Sequence, residues 1–172
     1  IIQWLRDNLG LIESAAEAGV IAQSVEDSMG VYFVPAFQGL GTPYWDMNAR
    51  AGIIGLSRGA GKAHIVRAAE ESIAYRTKDV VEVMEKESGI KLSNIRVDGG
   101  ACKDNFLMQF QSDILGSSII RPRNIETTAM GAAYLAGLAV GFWEDLEEIR
   151  KIWKEDRVFN PLMDGEKRNN LY

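Results

Sequence analysis

The sequence predicts an α/β fold with an at least partly parallel sheet. After Gly30, short apolar stretches alternate with helical patterns, which is the arrangement of β-α-β units. Three stretches have the strand pattern: Val31–Pro35, Ile95–Val97 and Ser117–Pro122. Because a sheet usually has about five to six strands, we expect part of the sheet to lie outside these residues.

Helical periodicity covers most of the remaining chain. The clearest helix is Lys62–Ser88, with Ile65, Ala69 and Ile73 on one face and Gly89 as its stop. Glycines divide the first 30 residues into three further helical stretches: Ile1–Leu9, Leu11–Ala18 and Val20–Met29. Later helices are expected at about Asp104–Leu115, from a cap at Thr127 or Thr128 to about Trp143, and at Trp143–Lys154, before a polar tail.

The first helical face has no capping residue before it. We therefore expect the sequence to start inside a helix, as a fragment would. Between the first strand and the long helix, residues 36–52 contain three glycines, a proline, Tyr44 and Trp45 without period. This loop either closes over a ligand or packs its two aromatic rings against the core.

The bulk composition is that of a soluble globular protein. The 172 residues are 47% apolar and 25% charged, and no apolar stretch is long enough for a membrane span. The net charge of −5 argues against a nucleic-acid partner, and the single Cys and single His cannot form a Cys/His zinc site. A reducing compartment, the cytoplasm, fits best.

Two glycine-rich stretches resemble phosphate-binding motifs. "LSRGAGKA", Leu56–Ala63, lacks the first glycine and the final hydroxyl of a P-loop, so it is interpreted as a plain helix entry. "DGGACKD" lacks the third glycine of the dinucleotide fingerprint. It still places two residues without a side chain between a strand and a helix start. This is either a ligand-sized niche or a tight turn that needs glycine for geometry alone.

Two single residues, His64 and Cys102, are candidate reactive groups. His64 has no nucleophile or metal partner at a helical spacing and is expected on the surface near a helix start. Cys102 lies beside the glycine turn, where a helix N-terminus can lower a thiol pKa, although a small structural residue is the favoured interpretation.

Five segments together carry a family resemblance. They are "VYFVPAFQGLGTPYWDMNARAGIIGLSRG", "SIAYRTKDVVEVM", "RVDGGA", "NFLMQFQSDILG" and "GAAYLAGLAVGFW". This set resembles the C-terminal part of the FGGY carbohydrate kinases, from "QWLRD" to about Pro161, with residues 162–172 as a polar tail. Ala51–Glu71 is similar to the second signature of the family, except that Glu70 stands where the signature has an apolar residue.

The resemblance implies a ribonuclease-H-like, actin-like ATPase domain. The whole of residues 1–172 would be the C-terminal nucleotide-binding domain, without its first antiparallel strands. The double glycine would be the adenosine motif, with Gly100 against the nucleotide and Gly99 shaping the turn. Gln3 and Asp104 match other nucleotide contacts. The family usually has Asn at the position of Asp104, and a carboxylate there can hold a ribose hydroxyl or cap the helix but cannot donate.

The resemblance also implies a reaction, in which ATP donates its γ-phosphoryl group to glycerol. The family's catalytic base and its main phosphate and Mg²⁺ ligands would precede Ile1, so no catalytic or metal-binding residue is assigned here and the 172 residues alone are expected to be inactive. A homo-oligomer is implied as well. Two alternatives stay open, which are another sugar or polyol kinase of the family, such as a xylulose or gluconate kinase, and a non-enzymatic actin-like nucleotide-binding module.

Overall fold

The computed structural model describes residues 1–172 as seven α-helices, one short 3-10 turn and five strands. In chain order the elements are α1 (Ile2–Asp7), α2 (Ala15–Gln23), β1 (Tyr32–Val34), β2 (Gly52–Ile54), α3 (Lys62–Ser88), β3 (Asn94–Arg96), the 3-10 turn (Gly100–Lys103), α4 (Asn105–Leu115), β4 (Ser118–Pro122), α5 (Thr127–Ala139), α6 (Leu146–Ile152), β5 (Glu155–Phe159) and α7 (Gly165–Leu171).

The strands form two small sheets. The larger has the order β3-β4-β5, with β3 and β4 parallel, so that Ile95 lies opposite Ile119, and with β5 antiparallel to β4. The smaller pairs β1 with β2 antiparallel, with Phe33 opposite Ile53. The predicted α/β fold with a partly parallel sheet is confirmed.

Three helices pack together at the centre of the molecule. The long helix α3 contacts both α2 and α4, and α2 also contacts α4. One apolar cluster joins α1, α2, β1 and α3: Leu5, Ile12, Ala18, Val31, Phe33, Val66, Ala68 and Ala69. A second cluster lies between α4 and the larger sheet: Cys102, Leu107, Met108, Ile119 and Phe159. Through Cys102, the 3-10 turn before α4 is anchored in the second of these clusters.

The predicted helix break at Gly19 is wrong. A single helix, α2, runs from Ala15 to Gln23 with Gly19 buried inside it. A Cβ at Gly19 would lie closer than 3.0 Å to the carboxylate of Asp104. Glycine occupies position 19 because the start of α4 packs against it, and this packing outweighs the low helix propensity of glycine.

Two strands and one helix were missed. The strand β2 begins at Gly52, the last residue of the predicted loop, β5 follows the last predicted helix, and α7 lies wholly within the polar tail of residues 162–172. Met163 and Leu171 pack against the cluster of Phe110 and Ile114, which anchors α7 to the molecule. The helix predicted over Trp143–Lys154 is shorter, because Asp145 caps it by accepting a hydrogen bond from the Glu148 amide.

In the loop of residues 36–52, the Tyr44 and Trp45 side chains lie in solvent. Tyr44 is 56% exposed and Trp45 74%, so the alternative in which both pack against the core is wrong. Tyr44 instead lies under the guanidinium of Arg76, 5.1 Å from the ring centre.

The helix α5, which is rich in alanine and glycine, has no buried residue. Neither Thr127 nor Thr128 caps it. Its N-cap residue is Glu126, and the Thr127 hydroxyl donates to Asp98 instead. No helix of the protein has the length and apolar character needed to cross a bilayer.

Candidate functional site

The glycine turn begins where β3 ends. The Val97 amide continues the ladder by donating to Ile120 O at 3.1 Å, and the Gly99 amide donates to Ile125 O at 2.9 Å. Gly99 has a φ of 75°, in the left-handed region that other residues enter only at a cost. The geometry of the turn therefore requires glycine at this position.

Gly100 is not explained in the same way. It begins the 3-10 turn, is exposed, and is not among the positive-φ residues. A Cβ built on it would meet no protein atom within 4 Å. The backbone at this point is thus bare beside open space, and the fold itself does not demand a glycine here.

Asp104 caps α4. Its Oδ1 accepts hydrogen bonds from the Phe106 amide at 2.8 Å and the Leu107 amide at 3.1 Å. Of the two roles left open by the sequence, capping is present in the structure. Both bonds fall on Oδ1, so Oδ2 keeps its acceptor capacity. The carboxylate lies against buried Gly19 of α2, where no larger residue fits without displacing it.

Two residues that the sequence did not connect with the turn, Arg121 and Thr127, support it. The Arg121 Nη1 of β4 donates to Cys102 O at 2.9 Å and to Asn105 Oδ1 at 3.0 Å, while its Nε donates to Asp156 at 2.8 Å. Thr127 of α5 donates to Asp98 at the end of the strand. Nothing in the local sequence links these residues to the turn, because both contacts depend on the order of the strands.

Cys102 is a structural residue, as the sequence favoured. Its side chain is buried, and its thiol donates to Gly99 O at 2.9 Å. Burial raises the pKa of this thiol, which removes the alternative of an activated thiolate. His64 has a comparable local role, since its Nδ1 accepts from the Gly61 amide at 3.1 Å at the start of α3.

The remaining predicted site residue, Gln3, is exposed on α1. Its side chain makes no hydrogen bond with the glycine turn or with Asp104, unlike the side chains of Arg121 and Thr127, which bond to the turn.

A cavity elsewhere in the molecule is a weaker candidate for a ligand site. It has a volume of about 320 Å³ and is lined by residues that include Arg67, Glu71 and Phe106. Arg67 already donates to Glu71 at 2.8 Å and to Val25 O at 2.7 Å. Its buried ion pair is satisfied within the protein, so the glycine turn is the stronger candidate site.

The fold and the glycine turn define an α/β domain in which a strand, a double glycine and a capped helix start follow one another. Comparisons with known proteins identify its family. The profile described as the FGGY family of carbohydrate kinases, C-terminal domain, matches residues 1–140. The chain belongs to the FGGY family of carbohydrate kinases.

Individual relatives agree with this assignment. Glycerol kinase of Pseudothermotoga lettingae is 64% identical over 171 residues, which are 99% of this chain and 34% of that protein. The crystal structure of Plasmodium falciparum glycerol kinase with ADP superposes with a TM-score of 0.88 at 40% identity, covering 99% of this chain and 34% of that one. Ligand-bound xylulose kinase from Lactobacillus acidophilus has a TM-score of 0.79 at 28% identity, with the same coverage.

The chain spans 34% of the length of the first of these relatives. Its fold is that of the C-terminal part of these kinases, which is the actin-like, ribonuclease-H-like fold expected from the resemblance.

Proposed function

We propose that residues 1–172 are the C-terminal nucleotide-binding domain of a glycerol kinase. That enzyme transfers the γ-phosphoryl group of ATP to glycerol and yields glycerol 3-phosphate and ADP. Relatives that carry this name are 40–64% identical over almost the whole chain, whereas the xylulose kinase neighbour is 28% identical. The higher identity favours glycerol as the acceptor.

The observation that supports nucleotide binding best is the bare backbone at Gly100. Gly99 is glycine because its φ requires it, but Gly100 has an ordinary backbone and no protein neighbour for a Cβ. A ligand that rests against the main chain gives a reason for glycine at this position. A flat purine fits such a surface, because it needs close approach and few polar partners.

The neighbouring residues have complementary roles in this proposal. The free Oδ2 of Asp104 accepts a hydrogen bond from a ribose hydroxyl, while Oδ1 stays on the α4 amides. The exposed amide of Gln3 has both a donor and an acceptor for the base. Arg121 keeps the 3-10 turn in place by holding two of its flanking acceptors.

The chemical step is assigned to groups outside this chain. In-line phosphoryl transfer depends on positioning and on charge stabilisation. His, Cys, Asp and Glu side chains form no group of three or more here, and the main Mg²⁺ ligands are assigned to residues outside this chain. We expect residues 1–172 alone to bind nucleotide and not to phosphorylate glycerol.

The proposal extends to the setting of the enzyme. We place it in the cytoplasm as a homo-oligomer that binds ATP and glycerol and has no nucleic-acid or membrane partner. The net charge of −5 and the single, buried cysteine support this setting.

The decisive experiment measures glycerol-dependent ADP production by the complete polypeptide that contains residues 1–172. A coupled assay should show robust turnover with glycerol and much less with xylulose or gluconate. Preference for either sugar substrate would make the acceptor assignment wrong and would favour the xylulose or gluconate kinase alternative. Nucleotide binding without turnover on any of the three would favour a non-enzymatic actin-like module.

A further inference from the structure

The side chain of Arg121, on β4, lies among hydrogen-bond acceptors at the end of the 3-10 turn. It is 13% exposed. Its Nη1 donates to Cys102 O at 2.9 Å and to Asn105 Oδ1 at 3.0 Å, and Lys103 O lies at 3.4 Å. The last carbonyls of a helical turn have no partner inside that turn, so a guanidinium at this place supplies the missing donors. Arg121 thus holds the end of the turn that begins at Gly100.

Two residues of β5 orient this guanidinium. Its Nε donates to Asp156 Oδ2 at 2.8 Å, and its central carbon lies 5.4 Å from the ring centre of Phe159. Phe159 is 2% exposed and packs in the same cluster as Cys102. The ion pair uses Nε and leaves Nη1 for the turn, so the two sets of contacts do not compete. The direction of the side chain is therefore set from β5, which lies on the opposite side of β4 from β3.

A β-bulge places Asp156 beside Arg121. Arg121 lies opposite Arg157 in the ladder. The next residue of β4, Pro122, lies opposite Glu155, so β5 has one extra residue at this step, which is Asp156. Because side chains alternate between the two faces of a regular strand, the neighbour of Arg157 would otherwise point away from Arg121. Bulges re-aim side chains in this way and are common beside functional sites. The ion pair gives a reason for the interruption of the ladder.

We propose that Arg121 and Asp156 are a positioning pair for the adenosine-binding turn. Asp156 orients the guanidinium, and Arg121 holds the end of the turn, so that the backbone at Gly100 is in place before a nucleotide binds. Neither side chain touches the nucleotide itself. The inference rests on the proposed function of the turn, and it adds β5 to the parts of the chain that set the affinity for nucleotide.

The physical basis of this role is preorganisation. The turn has four residues, and at its beginning the Gly99 amide is held by Ile125 O at 2.9 Å. Without Arg121 the other end would be free to sample further conformations, and nucleotide binding would then have to order it at a cost in affinity. The role requires arginine, because its rigid fork directs Nε and Nη1 at separate acceptors, whereas lysine has a single nitrogen.

The test is the affinity for ADP, measured by calorimetry on the complete polypeptide that contains residues 1–172. Arg121→Lys keeps the charge and loses the fork, so its Kd should rise about tenfold, which corresponds to one net hydrogen bond to a charged group. Asp156→Ala should also raise the Kd. In an Arg121→Met background, Asp156→Ala should cause no further rise, because Asp156 acts only through Arg121.

A matched control comes from the same strand. Arg157 also lies over the Phe159 ring, 4.6 Å from its centre, but it makes no hydrogen bond to the turn. Arg157→Lys should therefore keep the wild-type Kd. Adenosine should lose affinity for Arg121→Lys by the same factor as ADP, because the turn is assigned to the adenosine part of the nucleotide.

Enzyme kinetics separate positioning from a structural role. Arg121→Lys should raise the KM for ATP and leave kcat and the KM for glycerol near the wild-type values, which is the signature of lost nucleotide binding. A variant that only unfolds more easily would instead lose active enzyme, so that the apparent kcat falls while both KM values stay unchanged. Melting temperatures identify the folded variants. Because the Asp156 side chain is 46% exposed, Asp156→Ala should fold normally and still raise the Kd.

The outcomes are distinct. A wild-type Kd in either Arg121→Lys or Asp156→Ala would overturn the positioning pair, as would fully additive losses in the double variant. A loss with ADP but not with adenosine would show that Arg121 acts by its charge on the phosphates, and it would overturn the inference as well. Absence of ADP binding by the wild-type protein would overturn the proposed function and this inference with it.

Discussion

At the scale of single residues, the two adjacent glycines have different physical reasons. Gly99 has a φ of 75° and Gly100 does not have a positive φ, although a Cβ on either would meet no atom within 4 Å. The sequence predicted a turn at this pair and left open whether geometry alone explained it. Geometry explains only Gly99, and the backbone angles that separate the two residues are not visible in the letters "GG".

Alanine substitutions should separate the two glycines. Gly99→Ala forces a left-handed backbone on a residue with a Cβ and should lower the free energy of unfolding by about 1–2 kcal/mol. Gly100→Ala should change it by less than about 0.5 kcal/mol. Urea denaturation of both variants measures the difference. Equal losses for the two would show that the turn is not built as described.

The role of Asp104 was partly predictable at this scale and that of Arg121 was not. An acid just before a helical pattern indicates an N-cap, and Asp104 is one. Arg121 reaches the turn from β4, about 20 residues further along the chain, by donating to Cys102 O. Only the parallel pairing of β3 and β4 brings it there, and pairing is a property of the fold rather than of the local sequence.

At the scale of elements, the sequence did not predict the contact between α2 and the start of α4, because glycine has a low helix propensity. Gly19 looks like a helix stop because glycine costs about 1 kcal/mol relative to alanine inside a helix. In the structure, the absence of a side chain at Gly19 permits Asp104 to approach the α2 backbone while it caps α4. The element boundary was therefore mispredicted at the point where tertiary packing mattered most.

A double-mutant cycle tests this contact. Gly19→Ala should destabilise the protein by about 1 kcal/mol, since its Cβ displaces the capping carboxylate. In an Asp104→Ala background the same change should be neutral or stabilising, because the clash is gone and alanine favours the helix. The expected coupling is about 1–2 kcal/mol. Additive effects would show that the two residues do not meet.

The C-terminal elements were missed for a different reason. The strand β5 has mostly exposed residues, and its pattern does not alternate cleanly. The helix α7 has only seven residues, too few for a periodic signal. Arg168 fixes it by donating to Asp113 O at 2.5 Å, and Tyr172 donates to Asp79 at 2.6 Å. These contacts are long-range and leave no local pattern.

At the scale of the whole molecule, α5 and the segment that follows it expose large apolar side chains. The helix α5 has no buried residue, and four large side chains around it are 60–81% exposed: Leu135, Val140, Phe142 and Leu146. Large exposed apolar patches are rare in monomeric proteins.

This surface has a measurable consequence for the 172-residue chain. It should bind a fluorescent apolar dye under native conditions and should self-associate as its concentration rises, because association covers the apolar residues. Replacement of Leu135 and Phe142 by serine should reduce both effects with little loss of stability. Strictly monomeric behaviour without dye binding would contradict the exposure described here.

The central claim is that a nucleotide rests against the bare backbone at Gly100, and one measurement tests it directly. Calorimetry should detect ADP binding to the wild-type protein and none to Gly100→Val, with the melting temperatures of the two nearly equal. Gly165→Val is the matched control, because Gly165 also begins a helical segment and a Cβ there also meets no atom within 4 Å. The control should keep the wild-type Kd. An unchanged Kd in Gly100→Val would contradict the claim.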